Sequence, residues 1–423
     1  MSRNSSNFAA YKTGTKMKKV LLFFVCSFFF CSAWPQDDLN ADQLIIKELY
    51  NGGCPMDDGS DYFQKDKAIV LYNNCPERIV ASNLCFGFAT PYNAEAGTIS
   101  SLYDKGGSLV YDDEGFIPAL CGIWYFPQTL VIEPFRQVVV NVQGAIDNTQ
   151  TYSQSVNYAF SSYYCMYDPE SGFSNTLYYP TPSDVIPSDH YLRAVRFGIA
   201  NSWPLSVTSP ALFLFQTQGV SPADFANDAD NYWYAPGDAH DNIHACVKVP
   251  TEWIIDAVEV FNAAKKESSM KRLTADVDAG YVYLTNKLGH SLYRNVDREA
   301  TEALSGNKDK LVYGYALGAD PSGIDAEESI LKGASIIYQD YNDSSEDFHE
   351  RSRCSLRDYT PQGGTAVKGD VNGDGAVDVA DISAVVTVMA GSASGSLAAA
   401  ADVNGDGTVD VADISAIITI MAG

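Results

Sequence analysis

Asp370–Gly391 reads DVNGDGAVDVADISAVVTVMAG, and Asp402–Gly423 reads DVNGDGTVDVADISAIITIMAG. The second stretch repeats the first 32 positions later, and only four of the 22 positions differ: Ala376/Thr408, Val385/Ile417, Val386/Ile418 and Val388/Ile420. A duplication this close marks a small unit that buries its apolar face against its own copy. From 370 to 423 there are eight Asp and no Lys, Arg or Glu, so this stretch carries −8 of the chain's net −25. A solvated acidic tail does not set Asp among Gly, Val and Ile at fixed spacing.

Each copy opens with an oxygen-rich loop. Calcium is a hard cation that takes six to eight oxygens, best supplied by carboxylates alternating around a glycine turn. In the first copy the ligands are expected to be Asp370, Asn372, Asp374, the Ala376 carbonyl, Asp378 and Asp381, with Gly375 at the turn. In the second they are Asp402, Asn404, Asp406, the Thr408 carbonyl, Asp410 and Asp413, with Gly407 at the turn. Four carboxylates in one loop repel each other unless a divalent ion sits among them, so two calcium ions are expected and their binding becomes folding energy. After each loop, Ile382, Val385, Val386 and Met389, and likewise Ile414, Ile417, Ile418 and Met421, fall at i, i+3, i+4 and i+7, one helical stripe. No helix enters either loop: Pro361, Gly363, Gly364 and Gly369 lie upstream of the first.

This duplicated loop–helix half-site resembles the dockerin type I module, a duplicated half EF-hand. The resemblance covers 370–423 and implies a calcium-dependent plug that seats a secreted protein, often a polysaccharide-degrading one, on a cohesin-like scaffold. Ser or Thr often precedes the closing Asp in dockerins; here Val379-Ala380 and Val411-Ala412 stand there. Val379, Val411 and the adjacent apolar helix positions either form the contact surface or pack the two helices together.

Lys18 and Lys19 precede a fourteen-residue apolar run, Val20–Ala33. It is short of the roughly 20 residues a spanning helix needs and reads as a secretory signal within residues 1–36, with Met17 as the natural start. No membrane span is expected in the mature chain, which is placed outside the cell or on its surface. The acidic balance speaks against nucleic-acid binding. Seven cysteines remain after the signal, without a CxxC pair, so neither a zinc ribbon nor a redox motif is indicated.

The body, residues 41–358, joins the repeat module (369–423) through a Pro/Gly-rich linker, 359–368. Short apolar runs at Leu44–Tyr50, Ala68–Tyr72, Leu130–Val142, Tyr191–Phe197 and Tyr281–Leu284 predict strands. Helices are expected at Ala257–Lys266 and after Asp325, which forms a capping box with Glu328. The fold class is mainly β: a sandwich body with loop-rich insertions and a small all-α calcium-binding domain. LIIKELYNGG (44–53) followed by DKAIVLYNN (66–74) resembles the opening of lamin-tail-type, Ig-like β-sandwiches. With WIIDAVEVFN (253–262) and GYVYLTNKLGHSLYRNVD (280–297) it also resembles an uncharacterised family of secreted proteins from gut anaerobes.

No GxSxG, P-loop, HExxH or GxGxxG is present. His240 and His244 stand four apart, but Pro236 and Gly237 place them in a loop, where solvated histidines are the simpler reading. Tyr163, Tyr164, Tyr167, Tyr178 and Tyr179, and Tyr232, Trp233 and Tyr234, are either sugar-stacking platforms or packing. The chain thus reads as a secreted or surface non-catalytic protein with a docking module and a glycan-binding or adhesive body. Two alternatives stand beside it. One is a polysaccharide-degrading, glycoside hydrolase-like enzyme that carries a dockerin. The other is a calcium module that only locks the C-terminus.

Overall fold

The computed structural model describes residues 43–357, 369, 371, 377, 379–390 and 400–422. The signal segment, the linker and most of the first loop, with Asp370, Asn372, Asp374, Ala376 and Asp378, lie outside the described residues.

The body is built on one twelve-stranded sheet. Its strands are β1 (Leu44–Tyr50), β2 (Lys67–Asn73), β3 (Leu84–Phe88), β4 (Gly122–Tyr125), β5 (Gln137–Gln143), β6 (Tyr164–Met166), β7 (Tyr191–Arg196), β8 (Ala211–Gln216), β9 (Ile254–Asn262), β10 (Val282–Leu284), β11 (Ser291–Arg294) and β12 (Phe348–Arg351). Their spatial order is β10-β9-β8-β3-β4-β7-β6-β5-β2-β1-β11-β12. Neighbours run antiparallel except β5–β6, β6–β7 and β9–β10. β1 and β2 pair from Leu44↔Asn73 to Tyr50↔Ala68 around a bulge between Ile46 and Glu48.

The sheet curls until its ends meet. β10 touches β12, and the Thr285 amide beyond β10 donates to Glu350 Oε1 on β12 at 2.8 Å. Inside lies one apolar core, with Leu44, Ile46, Ile69, Leu71, Trp124, Leu212, Leu214 and Val258 among its members. Outward-facing residues are also covered: Ala211, Phe213 and Phe215 enter a second core, and Ile45 and Tyr72 a third. This is why β2 and β8 read as nearly continuous apolar runs rather than alternating ones.

The predicted strands form, and so does the helix after Asp325: α1 (Ala326–Leu331) is capped by the Asp325 side chain accepting from the Glu328 amide. The helix expected at Ala257–Lys266 does not form. Ile254–Asn262 is β9, paired with β8. Ile255, Val258 and Val260 face the inner core and Ala257 the second. The two acids of β9 are matched by buried arginines. Arg272 Nη2 donates to Glu259 Oε1 at 2.6 Å, and Arg294 is paired with Asp256. Opposite charges, not a polar helix face, account for Asp256 and Glu259. All seven cysteines from Cys54 to Cys354 are free, and five are buried.

His349 on β12 is held between Asn295 Oδ1 (2.7 Å) and the Tyr315 hydroxyl (2.9 Å). Burial and the nearby Arg351 push its pKa down to about 4. The unfolded chain therefore binds the proton more tightly, and stability is lost as pH falls from the ordinary value of 6.5 toward 4. Between pH 7 and pH 4, wild type should lose about 3 kcal/mol relative to His349→Gln, measured by denaturant titration.

Candidate functional site

The C-terminal repeat forms two helices, α3 (Val379–Met389) and α4 (Val411–Met421), which pack on each other. Their shared core holds Val371, Val385, Ala401, Val403 and Ile417, with Val377, Ile382, Val388, Val409, Ile414 and Ile420 partly buried around it. Gly369 lies against the far helix: a Cβ there would come within 2.9 Å of Ile420 Cδ1.

The expected single apolar stripe divides. Val385 and Ile417 are fully buried, whereas Val386 and Ile418 are 49% and 52% exposed. The inner face runs through positions 382, 385 and 388, since each helix is covered only on its partner's side. Val379, Val386 and Met389 are left on the surface of α3, and Val411, Ile418 and Met421 on α4. The two sets match pairwise, so the pseudo-two-fold of the sequence persists in the exposed surface.

The second loop is described throughout. Gly405 and Gly407 take φ of +77° and +89°, which glycine adopts without a Cβ penalty. The chain then wraps the Asp402 carboxylate, which accepts from the amides of Gly405 (2.9 Å), Asp406 (3.0 Å) and Gly407 (2.9 Å). Asn404 Nδ2 donates to Asp406 Oδ2 at 2.9 Å. The Thr408 hydroxyl and amide both donate to Asp406, which with the Asn404 contact holds that carboxyl below its usual range. Asp410 caps α4 by accepting from the Ala412 amide. Asp413, fully buried, spans the loop: it accepts from the Asn404 amide at 3.0 Å and the Asp410 amide at 2.9 Å. In the first copy Asp381 is likewise fully buried and accepts from the Val371 amide at 2.7 Å.

The structure thus gathers Asp402, Asn404, Asp406, Thr408, Asp410 and Asp413 into one turn. Their carboxylates face the loop's own amides, and among the described residues no three His, Cys, Asp or Glu side chains converge as a metal cage. The donor set is nonetheless all oxygen, the stretch has no basic side chain, and its closing carboxylate, Asp413, is buried as Asp381 is in the first copy. That chemistry fits a hard divalent cation.

The body's sequence candidates resolve mostly into packing. Tyr163 and Tyr179 are buried, and the Tyr179 hydroxyl accepts from the Trp203 amide at 2.9 Å. Tyr164 stacks on His190 and Tyr167 packs edge-on against Tyr191. Tyr232 meets Phe197 and Trp233 meets Tyr111. His240 stacks on Tyr234 and His244 pairs with Asp241 at 2.7 Å, both in loop. Sequence reasoning passed over Tyr281 and Tyr283, because alternation in GYVYL marks a strand and says nothing of which ring is open.

Residues 368–421 match the profile of the Dockerin type I domain, and residues 133–310 match that of a protein of unknown function, DUF4876. No curated protein matches the chain. A crystal structure of a DUF4876 family protein from Bacteroides thetaiotaomicron is similar over 73% of this chain and 71% of that one, at 21% identity and a TM-score of 0.52. The likeness is one of fold. The C-terminal segment is a dockerin type I domain, a kind of module that binds calcium and docks on cohesins; the body is a barrel- or sandwich-like β fold.

Removing buried side-chain volume should unlock the helix pair. Ile417→Ala should cost about 2–5 kcal/mol, whereas Ile418→Ala, on the exposed face, should stay within about 0.5 kcal/mol. Limited proteolysis should clip the C-terminal segment of the first variant much faster and leave the second at the wild-type rate.

Proposed function

We propose that this chain is a secreted or surface-displayed component that a calcium-loaded C-terminal module seats on a cohesin-like scaffold, with a non-catalytic, glycan-binding or adhesive body as the cargo. What carries the reading is the pair of buried closing carboxylates, Asp381 and Asp413, in a duplicated segment without a single cationic side chain. In this reading two calcium ions bind. Asp370, Asn372, Asp374, the Ala376 carbonyl, Asp378 and Asp381 hold the first; Asp402, Asn404, Asp406, the Thr408 carbonyl, Asp410 and Asp413 hold the second. Residues 369–423 are the module, 359–368 the linker and 41–358 the body, preceded by an export signal.

The exposed Val379/Val386/Met389 and Val411/Ile418/Met421 sets are the docking faces. Apolar side chains left open on a small folded unit favour a protein partner over a purely structural lock. For the body, binding is favoured over glycoside hydrolysis by how its buried acids are used. Glu259 is bound by Arg272, Asp256 by Arg294, Glu48 by Ser291 and Ser355, and Asp66 by Tyr50 and Tyr158. Hydrolysis needs two carboxyls facing each other across a substrate cleft.

Immobilised type I cohesin should retain the full-length chain at millimolar calcium and release it into chelator. Retention should fall at least tenfold in the double variant Val379→Asp/Val411→Asp. Equal retention with and without chelator would rule out calcium-dependent docking. Calorimetry of the full chain should count two calcium ions in wild type and one in Asp413→Asn, and two in both would remove Asp413 from the ligand set.

A further inference from the structure

β10 ends the sheet beside a cleft of about 470 Å³ lined by Ala279, Gly280, Tyr281, Val282, Tyr283, Asp343 and Ser345. That volume is within the range of small-molecule sites, about 300–1,000 Å³. Tyr281, 37% exposed, is stacked on Phe261 at 4.1 Å and 12°. Tyr283 stands nearly perpendicular to it, at 5.6 Å and 78°. The two rings therefore form a fixed corner with open aromatic surface. Lys266 Nζ lies 4.2 Å from the Tyr283 centroid, and Lys266 also lines a second cleft of about 380 Å³ formed by residues 263–268. The two clefts adjoin at the Lys266–Tyr283 pair.

The floor is rigidly built. Asp278, buried, accepts from the amides of Glu259 on β9, Gly280 and Ser344, and from the Ser344 hydroxyl. It rivets β9, the cleft strand and the short helix α2 (Ser344–Asp347) together. Lys271 Nζ donates to the carbonyls of Asp278 (2.8 Å) and Gly280. Gly280 has no room for a side chain: a Cβ would lie 1.8 Å from Asp343 Oδ1. Asp343 Oδ1 takes the Ser345 amide and hydroxyl.

We propose that the Tyr281–Tyr283 corner and the adjoining clefts form a binding site for an uncharged pyranose chain, one sugar face stacking on Tyr281 and its hydroxyls meeting Asp343 and Ser345. The assignment rests on the glycan-binding reading of the body. An aromatic face beside a carboxylate suits the apolar C–H face and hydroxyl rim of a sugar. The chain's net charge of −25 disfavours anionic ligands. Asp343 is the one carboxylate lining the Tyr281 cleft and Glu267 the one lining the adjoining cleft, so neither cleft holds the pair of acids that two-carboxylate cleavage needs.

The test is affinity electrophoresis of the full-length chain in calcium through neutral polysaccharides (xylan, glucomannan, β-glucan, starch), comparing wild type, Tyr281→Ala, Tyr281→Trp and Gly280→Ala, with melting curves to confirm folding. At least one polysaccharide should retard wild type. Tyr281→Ala should weaken that binding about tenfold or more, and Gly280→Ala, by displacing Asp343, should weaken it too. Tyr281→Trp, which keeps an aromatic platform, should still bind. Retardation unchanged in a folded Tyr281→Ala variant would overturn this site while leaving the glycan reading standing. No retardation of wild type by any of the four would overturn both.

Discussion

Like-charge repulsion within the C-terminal loops is the constraint on which the docking reading depends. Asp381 and Asp413 are fully buried at the junction of loop and helix, yet 370–423 holds no Lys or Arg to balance them. Backbone amides and the N-terminal turn of each helix offset part of the cost. In the proposed reading a divalent ion among the remaining oxygens offsets the rest, and in doing so fixes the angle at which each loop hands the chain to its helix. The five-residue buried core between α3 and α4 is too small to impose that geometry unaided.

The body balances several buried charges against one another. Three of its buried charge pairs are Arg272 with Glu259, Arg294 with Asp256 and Lys47 with Glu327. Such pairs add little net stability over apolar packing, but breaking one leaves a buried charge and costs about 3–5 kcal/mol. The Arg294–Asp256 pair joins β11 to β9 and Lys47–Glu327 ties β1 to α1, contacts that help to hold the curl that brings β10 against β12. The same curl exposes the Tyr281–Tyr283 corner at the seam.

Local rules were legible in the amino-acid order. The repeat, the Asp325 cap and the strands β1 and β2 each depend on residues within a turn or a strand of one another. What escaped depended on distant partners. The segment from Ala257 looks helical until Arg272 and Arg294 arrive to neutralise Glu259 and Asp256 in a strand. The helical stripe from Ile382 to Met389 looked uniform because sequence shows where a face begins, not how much of it a single partner helix covers. The tyrosines near 163–179 and 232–234 could be read as an open platform or as packing, and most are packed against other rings. The two at 281 and 283, by contrast, border a cleft that only the closure of the sheet creates.

Hydrogen exchange on the full-length chain, with and without calcium, tests the central claim most directly. Calcium-driven ordering predicts slow exchange of amides in 379–389 and 411–421 when calcium is present. In chelator those amides should exchange close to the unfolded-chain rate, with no change across 43–357. Equal protection of both helices in the two conditions would contradict it.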